Sequence, residues 1–188
     1  MRDRLVANNV LVSTSQPRIQ IGVEPRLSYV GSVSLSLGTA EAELFAFASR
    51  IDGELERLFY AQFEAVRPEE AWSYRYQIED TMQLGSHSYM HDIACRNVTE
   101  VISQRPRSDI AGIYRFLSEH GYGTPDEVLR HRFVRVLDET RRSEILFIYA
   151  ESLSAARLTC QEIVRPEGES LLGEFKARSM RSFWIVAD

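Results

Sequence analysis

Residues 145–150 read ILFIYA, the longest apolar run in the chain. A run of this length matches a buried strand and falls well short of the roughly 18 apolar residues that a membrane-spanning helix requires. Since neither face of such a strand is polar, we expect it to lie in the centre of a sheet that is covered on both sides. No other segment approaches the length of a span, so the sequence predicts no membrane partner.

The residues before this run extend the same sheet. Residues 133–137 (FVRVL) form a second apolar stretch, and the polar residues 138–143 separate the two. Two apolar stretches joined by a short polar segment predict an antiparallel pair of strands with a tight loop. A single helix that begins after residues 124–126 is the alternative.

Two segments nearer the N-terminus alternate between polar and apolar residues. Residues 18–23 (RIQIGV) and 32–37 (SVSLSL) place apolar side chains at every second position. This period of two predicts strands with one apolar face.

Residues 39–66 fit two structures. Apolar residues at spacings of three and four allow a helix that Thr39 would cap. The same region alternates after residue 54, and Asp52-Gly53 suits a hairpin turn, which requires positive φ angles. We favour the hairpin because the region is rich in aromatic residues, which prefer strands.

Residues 72–84 are the clearest alternating segment. Even positions are apolar except at Asp80, and odd positions are polar. This pattern predicts a long half-buried strand that bends at Asp80 and closes at Gly85-Ser86. Residues 88–103 fit either a strand or a short helix.

The predicted fold class is α+β, because strand signals dominate and helix signals occur chiefly near residues 108–121 and 169–182. We expect a single domain over residues 1–188, with a curved, mostly antiparallel sheet of about six to eight strands and about two or three helices. Residues 1–17 are expected to be a flexible or edge segment. Residues 183–186 should form either the last helical turns or a docking strand.

Composition excludes several classes of protein. The chain has 188 residues, 44% of them hydrophobic, and a net charge of −5. The apolar content is too high for a disordered chain, and the acidic balance disfavours a nucleic-acid partner. The first residues lack an apolar run of signal-peptide length, so we expect a soluble cytoplasmic protein.

The two cysteines, Cys95 and Cys160, are predicted to be free and buried. They lie far apart in the sequence, without the closely spaced pairs that are typical of zinc sites. An exported protein would instead favour a disulfide between them. Neither a glycine-rich phosphate loop nor a nucleophile elbow occurs, so we expect no cofactor.

His87 and His91 form the most site-like pair of residues. On a helix they would lie one turn apart and could hold a metal. On a strand they would be about 13 Å apart, which is too far for one ion. The pair is therefore a candidate metal or proton-transfer site, and two surface histidines are the simpler interpretation.

Asp80 is the first single candidate for catalysis, followed by His91 and Asp92. An unpaired carboxylate on an otherwise apolar face is typical of catalytic acids and bases. A bend in the strand or an ion pair with an arginine is the alternative. Glu151, directly after the apolar run 145–150, is a candidate for catalysis with the same alternative.

All but one of the 22 basic residues are arginine. This excess is typical of a GC-rich genome such as a bacterial one. Residues 130–142 are locally basic and could contact phosphates or an acidic partner. A solvated strand face is the alternative.

We expect a non-catalytic binding or accessory protein that uses the concave face or an edge of its sheet. Aromatic residues on the predicted strands would bind a small apolar ligand or a protein partner, although packing in the core explains them equally well. These residues are Trp72, Tyr74, Tyr76 and Tyr149. A small enzyme with dispersed carboxylates and histidines is the alternative, and an arginine-mediated nucleic-acid binder ranks third.

Overall fold

A computed structural model describes residues 3–163, 165 and 168–187. Its strands and helices confirm the α+β class. The strands are β1 (Arg4–Ala7), β2 (Val10–Ser13), β3 (Ile19–Val23), β4 (Ser28–Ser36), β5 (Ala40–Ile51), β6 (Glu54–Val66), β7 (Thr81–Leu84), β8 (His87–Asn97), β9 (Glu127–Val136), β10 (Ser143–Ser152) and β11 (Phe183–Ala187). The helices are α1 (Val98–Gln104), α2 (Asp109–Glu119), α3 (Cys160–Ile163) and α4 (Glu169–Ser182).

A seven-stranded antiparallel sheet forms the centre of the fold. Its strand order is β4-β5-β6-β10-β9-β8-β7, so β10 pairs with β6 on one side and with β9 on the other. Every residue of β10 from Glu144 to Ala150 is buried. The predicted central strand, covered on both faces and joined to its neighbour by a tight loop, is therefore confirmed.

Residues 40–66 form the predicted hairpin and not a helix. Strands β5 and β6 pair along their length, and Asp52 and Gly53 have φ angles of 53° and 87°. Gly enters this left-handed region without a steric penalty, and Asp is one of the few other residues that tolerate it. The aromatic side chains of Phe47 and Phe59 are fully buried, as expected for strands in the middle of a core.

A second sheet of four strands covers one face of the larger sheet. Its order is β1-β2-β3-β11, so the C-terminal strand pairs with β3. Apolar residues of both sheets and Phe175 of α4 share one hydrophobic cluster. Phe183 of β11 stacks on Phe59 with ring centroids 4.7 Å apart. The end of the chain is thus a docking strand, one of the two predicted alternatives.

Helices α1 and α2 pack on the opposite face of the large sheet, which we call the helix-side face. Ile113 and Leu117 of α2 are buried there in a second hydrophobic cluster. The Ser108 hydroxyl oxygen caps α2 by accepting a hydrogen bond from the backbone N–H of Ala111. The helices predicted near residues 108–121 and 169–182 correspond to α2 and α4.

Residues 88–103 combine the two structures that the sequence allowed. Strand β8 runs to Asn97, and α1 begins at Val98. The side-chain oxygen of Asn97 accepts a hydrogen bond from the backbone N–H of Glu100, which starts the helix at this point. A strand and a helix therefore meet at a capping residue.

The long strand predicted for residues 72–84 is wrong over most of its length. Only Thr81–Leu84 pair in the sheet, as β7. Residues 70–80, which we call the strap, have no regular structure and are fixed to the loop between β9 and β10. There the N–H of Tyr74 bonds to the carbonyl of Arg141, and Arg141 Nε returns a bond to the carbonyl of Tyr74, both at 2.8 Å. The alternation of apolar residues is real, but one face of the strap covers the large sheet instead of joining it.

The expectation of two free cysteines is also wrong, because Cys95 and Cys160 form a disulfide with their Cα atoms 5.6 Å apart. The bridge joins the end of β8 to the start of α3. A separation of 65 residues along the chain gives no indication of this proximity, which depends on how the strands pair.

One sheet was expected, and the structure has two. The larger one has seven strands, within the predicted range, whereas the four-stranded sheet was not predicted as a separate layer. Its first strands, β1 and β2, have four residues each and give little periodic signal. No helix in the described part of the chain combines the length and the apolar character needed to cross a bilayer.

Candidate ligand-binding cleft

Helices α1 and α2 leave part of the helix-side face open, and two adjoining clefts occupy it. The arginine cleft, about 570 Å³, lies between β8–β10 and α1. The carboxyl cleft, about 460 Å³, lies under the strap. Four residues line both clefts and make them one continuous depression, and they are Arg105, Asp109, Arg132 and Leu146. Each volume is within the range of small-molecule sites.

Strand β9 supplies the inner wall of the arginine cleft. Arg130 and Arg132 lie on the helix-side face, and both guanidinium groups donate to the carboxylate of Asp92 on β8, at 2.7 Å each. Burial works against ionisation of Asp92, yet the two arginines outweigh it and hold the pKa of this carboxyl below its usual value. One carboxylate therefore balances two cations.

The guanidinium of Arg130 is not fully satisfied. Its Nη2 bonds to Asp92, but its Nε is buried and no described residue accepts a hydrogen bond from it. A buried donor without an acceptor costs about 1–3 kcal/mol.

The depression as a whole is positively charged, in contrast to the net charge of −5 on the chain. Six arginines line it, and the lining together with Asp92 contributes five acidic side chains. The arginines are Arg75, Arg96, Arg105, Arg107, Arg130 and Arg132. The acidic residues are Glu64, Asp92, Glu100, Asp109 and Glu144. The arginines therefore outnumber the carboxyl groups, and the proton that Glu144 holds near neutral pH widens this excess of positive charge.

The carboxyl cleft contains two glutamates directly opposite each other in the sheet, Glu64 on β6 and Glu144 on β10. The strap supplies one tyrosine for each. Tyr74 donates to Glu64 Oε1 at 2.8 Å, and Tyr76 donates to Glu144 Oε2 at 2.6 Å. The strap thus fixes both carboxyl groups from above.

Both glutamates hold protons more tightly than usual. Burial raises the pKa of Glu144 to about 8, and the nearby charge of Glu64 adds to this, while the bond from Tyr76 opposes it. Burial also raises the pKa of Glu64, against the bonds from Tyr74 and Gln62. At neutral pH Glu144 therefore carries a proton, so that its carboxyl group can donate a hydrogen bond.

Gln62, next to Glu64 on the same face of β6, is completely buried, with 0% of its surface exposed. Its Nε2 donates to Glu64 Oε2 at 2.6 Å. Its carbonyl oxygen Oε1 has no hydrogen-bond donor among the residues that the structure describes. The Gln62 side chain therefore places an unpaired acceptor beside the carboxyl pair.

Three of the four predicted ligand-binding aromatics lie at the carboxyl cleft. Trp72, Tyr74 and Tyr76 all line it, on the strap. Tyr149 does not, because odd-numbered residues of β10 point toward the four-stranded sheet. It is 0% exposed, and its hydroxyl donates to Glu151, which also pairs with Arg178.

The predicted catalytic residues do not converge. Asp80 is exposed at the end of the strap, and the carboxylate of Asp92 forms ion pairs with Arg130 and Arg132. His91 lies on the other face of the sheet, where its Nδ1 is 3.0 Å from Nε2 of the buried His131. His131 in turn bonds to Ser179 of α4 at 2.9 Å, so this chain of groups belongs to the core.

His87 and His91 both lie on strand β8, four residues apart. That is the arrangement in which the two rings are too far apart for one ion. Within residues 3–163, 165 and 168–187 no three His, Cys, Asp or Glu side chains are grouped as a metal site would require. The structure therefore provides no third ligand for this pair.

The locally basic segment 130–142 has two separate roles. Arg130 and Arg132 line the arginine cleft, whereas Arg141 and Arg142 fix the strap. Arg142 donates to the carbonyl oxygens of Arg67 and Glu70, at 2.6 Å each. The sequence indicated the local positive charge. It did not indicate that Arg130 and Arg132 lie on strand β9 while Arg141 and Arg142 lie in the loop that follows it.

Glu64, Gln62 and Glu144 were not predicted as site residues. One signal was available: Glu144 begins a run that is otherwise apolar on both faces, so its side chain must be buried or at an opening. The pairing of Glu144 with Glu64 depends on the register between β6 and β10, which the sequence does not specify.

Comparisons of the chain with protein-family models, with curated proteins and with solved structures find no match. The geometry of the two clefts is therefore the basis for a functional proposal.

Proposed function

We propose that the protein is a non-catalytic binding domain whose ligand is a small molecule with an anionic group. The observation that carries this proposal is the excess of positive charge in the arginine cleft, where one carboxylate, Asp92, balances both Arg130 and Arg132. A phosphate or carboxylate would balance that excess, and arginine suits both because its planar fork matches their geometry.

The apolar part of the expected ligand also has a place in this cleft. Leu146 and Ile148 of β10 form its floor, and Ile110 of α2 lies beside them. A ligand with an apolar body would bury that body there, while its anionic group contacts the arginines. We therefore keep the predicted small ligand and add a negative charge to it.

A catalytic role for the carboxyl pair is the second candidate. Glu144 is protonated near neutral pH and lies opposite Glu64, an arrangement that suits general acid–base chemistry. In hydrolysis of a glycoside, Glu144 would give its proton to the leaving oxygen while Glu64 takes a proton from the attacking water. A panel of nitrophenyl glycosides tests this role: turnover should fall above about pH 8 and vanish in Glu144→Gln, and a panel with no turnover rejects it.

The predicted cytoplasmic location stays a proposal, and the disulfide bears on it. Disulfides persist in oxidising compartments and are rare in the cytosol. The Cys95–Cys160 bridge therefore makes an exported protein the competing alternative. Detection of the protein in separated cell fractions distinguishes the two.

Phenyl phosphate is a direct probe of the main proposal, because it combines a dianion with a planar apolar body. We expect it to raise the melting temperature of the protein, since a ligand at 100 times its Kd stabilises by about 2.7 kcal/mol. The double variant Arg96→Gln/Arg105→Gln, which removes two arginines that line the cleft, should lose most of this shift. Arg115→Gln, outside the clefts, is the matched control. An unchanged shift in the double variant, or no shift in the native protein, contradicts the proposal.

A further inference from the structure

We propose that the anionic group of the ligand is a tetrahedral oxyanion, the phosphate or sulfate of an ester, and that the hydroxyl of Tyr60 binds its third oxygen while arginines bind the other two. This inference rests on the proposed function and adds the chemical class of the ligand. It is carried by an unpaired tyrosine hydroxyl in the wall of the arginine cleft, across one floor residue from Arg132.

Tyr60 lies on the helix-side face of β6 and lines the arginine cleft. The residue is buried, with 4% of its surface exposed. Its hydroxyl has no hydrogen-bond partner among the residues that the structure describes, and the oxygen is not enclosed in the way that Nε of Arg130 is. A buried tyrosine hydroxyl usually has a partner, so this one is available to a group that enters the cleft.

The hydroxyl end of the Tyr60 ring faces the charged side of the cleft. Asp109, Arg130 and Arg132 all line the cleft and lie close enough to shift the pKa of Tyr60. Burial has the largest effect on this pKa and raises it, as does Asp109, whereas the two arginines lower it to a lesser extent. The hydroxyl therefore keeps its proton near neutral pH and can donate a hydrogen bond.

Strand register places Tyr60 and Arg132 on either side of one floor residue. Ile148 of β10 is directly opposite Tyr60 of β6 and also directly opposite Arg132 of β9. Neighbouring strands are about 4.8 Å apart, so the Cα atoms of Tyr60 and Arg132 are roughly 10 Å apart with the shorter isoleucine between them. An anion over Ile148 would therefore have the tyrosine hydroxyl on one side and the guanidinium on the other.

The arginines keep free donors after they have paired with Asp92. Arg132 uses its Nε and Arg130 its Nη2 for that carboxylate. Both Nη atoms of Arg132 and Nη1 of Arg130 have no acceptor among the described residues, and none of the three is enclosed. Because one guanidinium can hold two oxygens of the same anion, this side of the cleft can bind two oxygens of the ligand.

A third oxygen distinguishes a phosphate or sulfate from a carboxylate. A carboxylate has two oxygens in one plane, and the arginines would bind both. A phosphate or sulfate ester has three terminal oxygens that do not share a plane with the central atom, so one can point across Ile148 to Tyr60 while the others face Arg132. A carboxylate in the same place would leave the Tyr60 hydroxyl without an acceptor.

Asp109 is the group near Tyr60 that opposes an anion at this position. It is the first residue of α2, and its Oδ1 accepts a hydrogen bond from the backbone N–H of Ile110 at 2.8 Å. The positive end of the helix dipole offsets a negative charge there. Arg96 and Arg105 line the same cleft, so the positive charge around the proposed anion still exceeds the negative.

Calorimetric titration with three probes of similar shape tests the inference. Phenyl phosphate, phenyl sulfate and phenylacetate share a benzene ring and a one-atom linker to the anionic group. Their affinities differ with charge and basicity, so the readout is the change in the affinity of each probe in Tyr60→Phe, which removes only the hydroxyl. At least one of the two tetrahedral probes should bind about tenfold more weakly to the variant, as the loss of one hydrogen bond to a charged group implies, while phenylacetate binds unchanged. The probe that is weakened identifies the phosphate or the sulfate.

Tyr114→Phe is the matched control, because Tyr114 of α2 is also a buried tyrosine, 5% exposed, but does not line the arginine cleft. It should bind all three probes as the native protein does. A second measurement uses the native protein alone: with isotopically labelled tyrosine, the ring signals of Tyr60 should move with the tetrahedral probe and not with phenylacetate.

The possible results separate the two proposals. If Tyr60→Phe weakens no probe, or weakens phenylacetate as much as the others, the inference is wrong and the proposed anion site stands. An equal loss in Tyr114→Phe, or Tyr60 ring signals that stay fixed when the tetrahedral probe binds, also overturns the inference. If no probe binds to the folded native protein, the proposed function fails and the inference fails with it.

Discussion

Two buried residues are neutral for the same reason, because burial disfavours the charged form, and they should give the protein opposite responses to pH. Glu144, 2% exposed, keeps its proton because burial and the charge of Glu64 raise its pKa to about 8. His131 stays deprotonated because burial, together with nearby His91, lowers its pKa to about 3. Each group therefore binds a different number of protons in the folded and unfolded chains, which links stability to pH.

Glu144 should destabilise the protein as pH rises. The folded state keeps a proton up to about pH 8, whereas the unfolded chain releases it near 4.5. Between these values the free energy of unfolding should fall by up to about 1.4 kcal/mol per pH unit from this group. Urea unfolding of Glu144→Gln should lack this slope and show higher stability at pH 8, with Glu119→Gln as the control. The same slope in both variants would assign the effect to other groups.

His131 should act in the opposite direction. The unfolded imidazole gains a proton near pH 6.5, and the folded one only near pH 3. Its contribution is therefore complete above pH 6.5 and is lost as pH falls, again by up to about 1.4 kcal/mol per unit. In NMR titrations the His131 ring signals should not shift between pH 7 and 5. A midpoint near 6 would contradict the buried, neutral state.

The strap is the element on which the candidate site depends. Its alternating residues were visible in the sequence, and Trp72, Tyr74 and Tyr76, which were predicted to contact a ligand, line the carboxyl cleft. The predicted strand was wrong because an extended segment with one apolar face has the same sequence pattern whether it hydrogen-bonds into a sheet or packs across one. Arg142 holds the segment in the second position, since its side chain donates to the carbonyl of Glu70, the first residue of the strap, and to that of Arg67 just before it.

Loss of the Arg142 side chain should therefore release the strap. In Arg142→Ala two charge-assisted hydrogen bonds disappear, and the backbone near the exposed Arg75 should open more often. We expect trypsin to cut after Arg75 about tenfold faster than in the native protein. Arg18→Ala, at the residue directly before β3 of the four-stranded sheet, is the control. Equal cleavage rates in the two variants would mean that the strap is held in another way.

At the scale of the whole molecule, local patterns predicted the elements better than their arrangement. The hairpin at Asp52-Gly53, the central strand β10 and helices α2 and α4 follow from periodicity and turn residues. The second sheet and the disulfide do not, because both depend on contacts between distant parts of the chain. The Glu64–Glu144 pair depends on such a contact too, because a shift of one residue in the register between β6 and β10 would place a different residue opposite each glutamate.

The disulfide should contribute much of the stability, since Cys95 and Cys160 close a loop of 65 residues. Loss of this cross-link gives the unfolded chain more freedom, and we expect the double variant Cys95→Ser/Cys160→Ser to be less stable by about 4 kcal/mol. Urea unfolding measures the change. Reductant should have a similar effect on the native protein and none on the variant. If the native protein is equally stable after full reduction, the predicted contribution of the disulfide to stability is wrong.

The most direct test of the account is an NMR titration of the isotopically labelled protein with phenyl phosphate. We predict that the amide signals that move will belong to the wall of the arginine cleft, around Arg130, Arg132 and Arg96, and to the first turn of α2. The cavity of about 460 Å³ beside Val12 and Ile19 on the four-stranded sheet is the internal comparison. Shifts confined to that cavity, or no shifts at all, would contradict the claim that the helix-side face binds an anionic ligand.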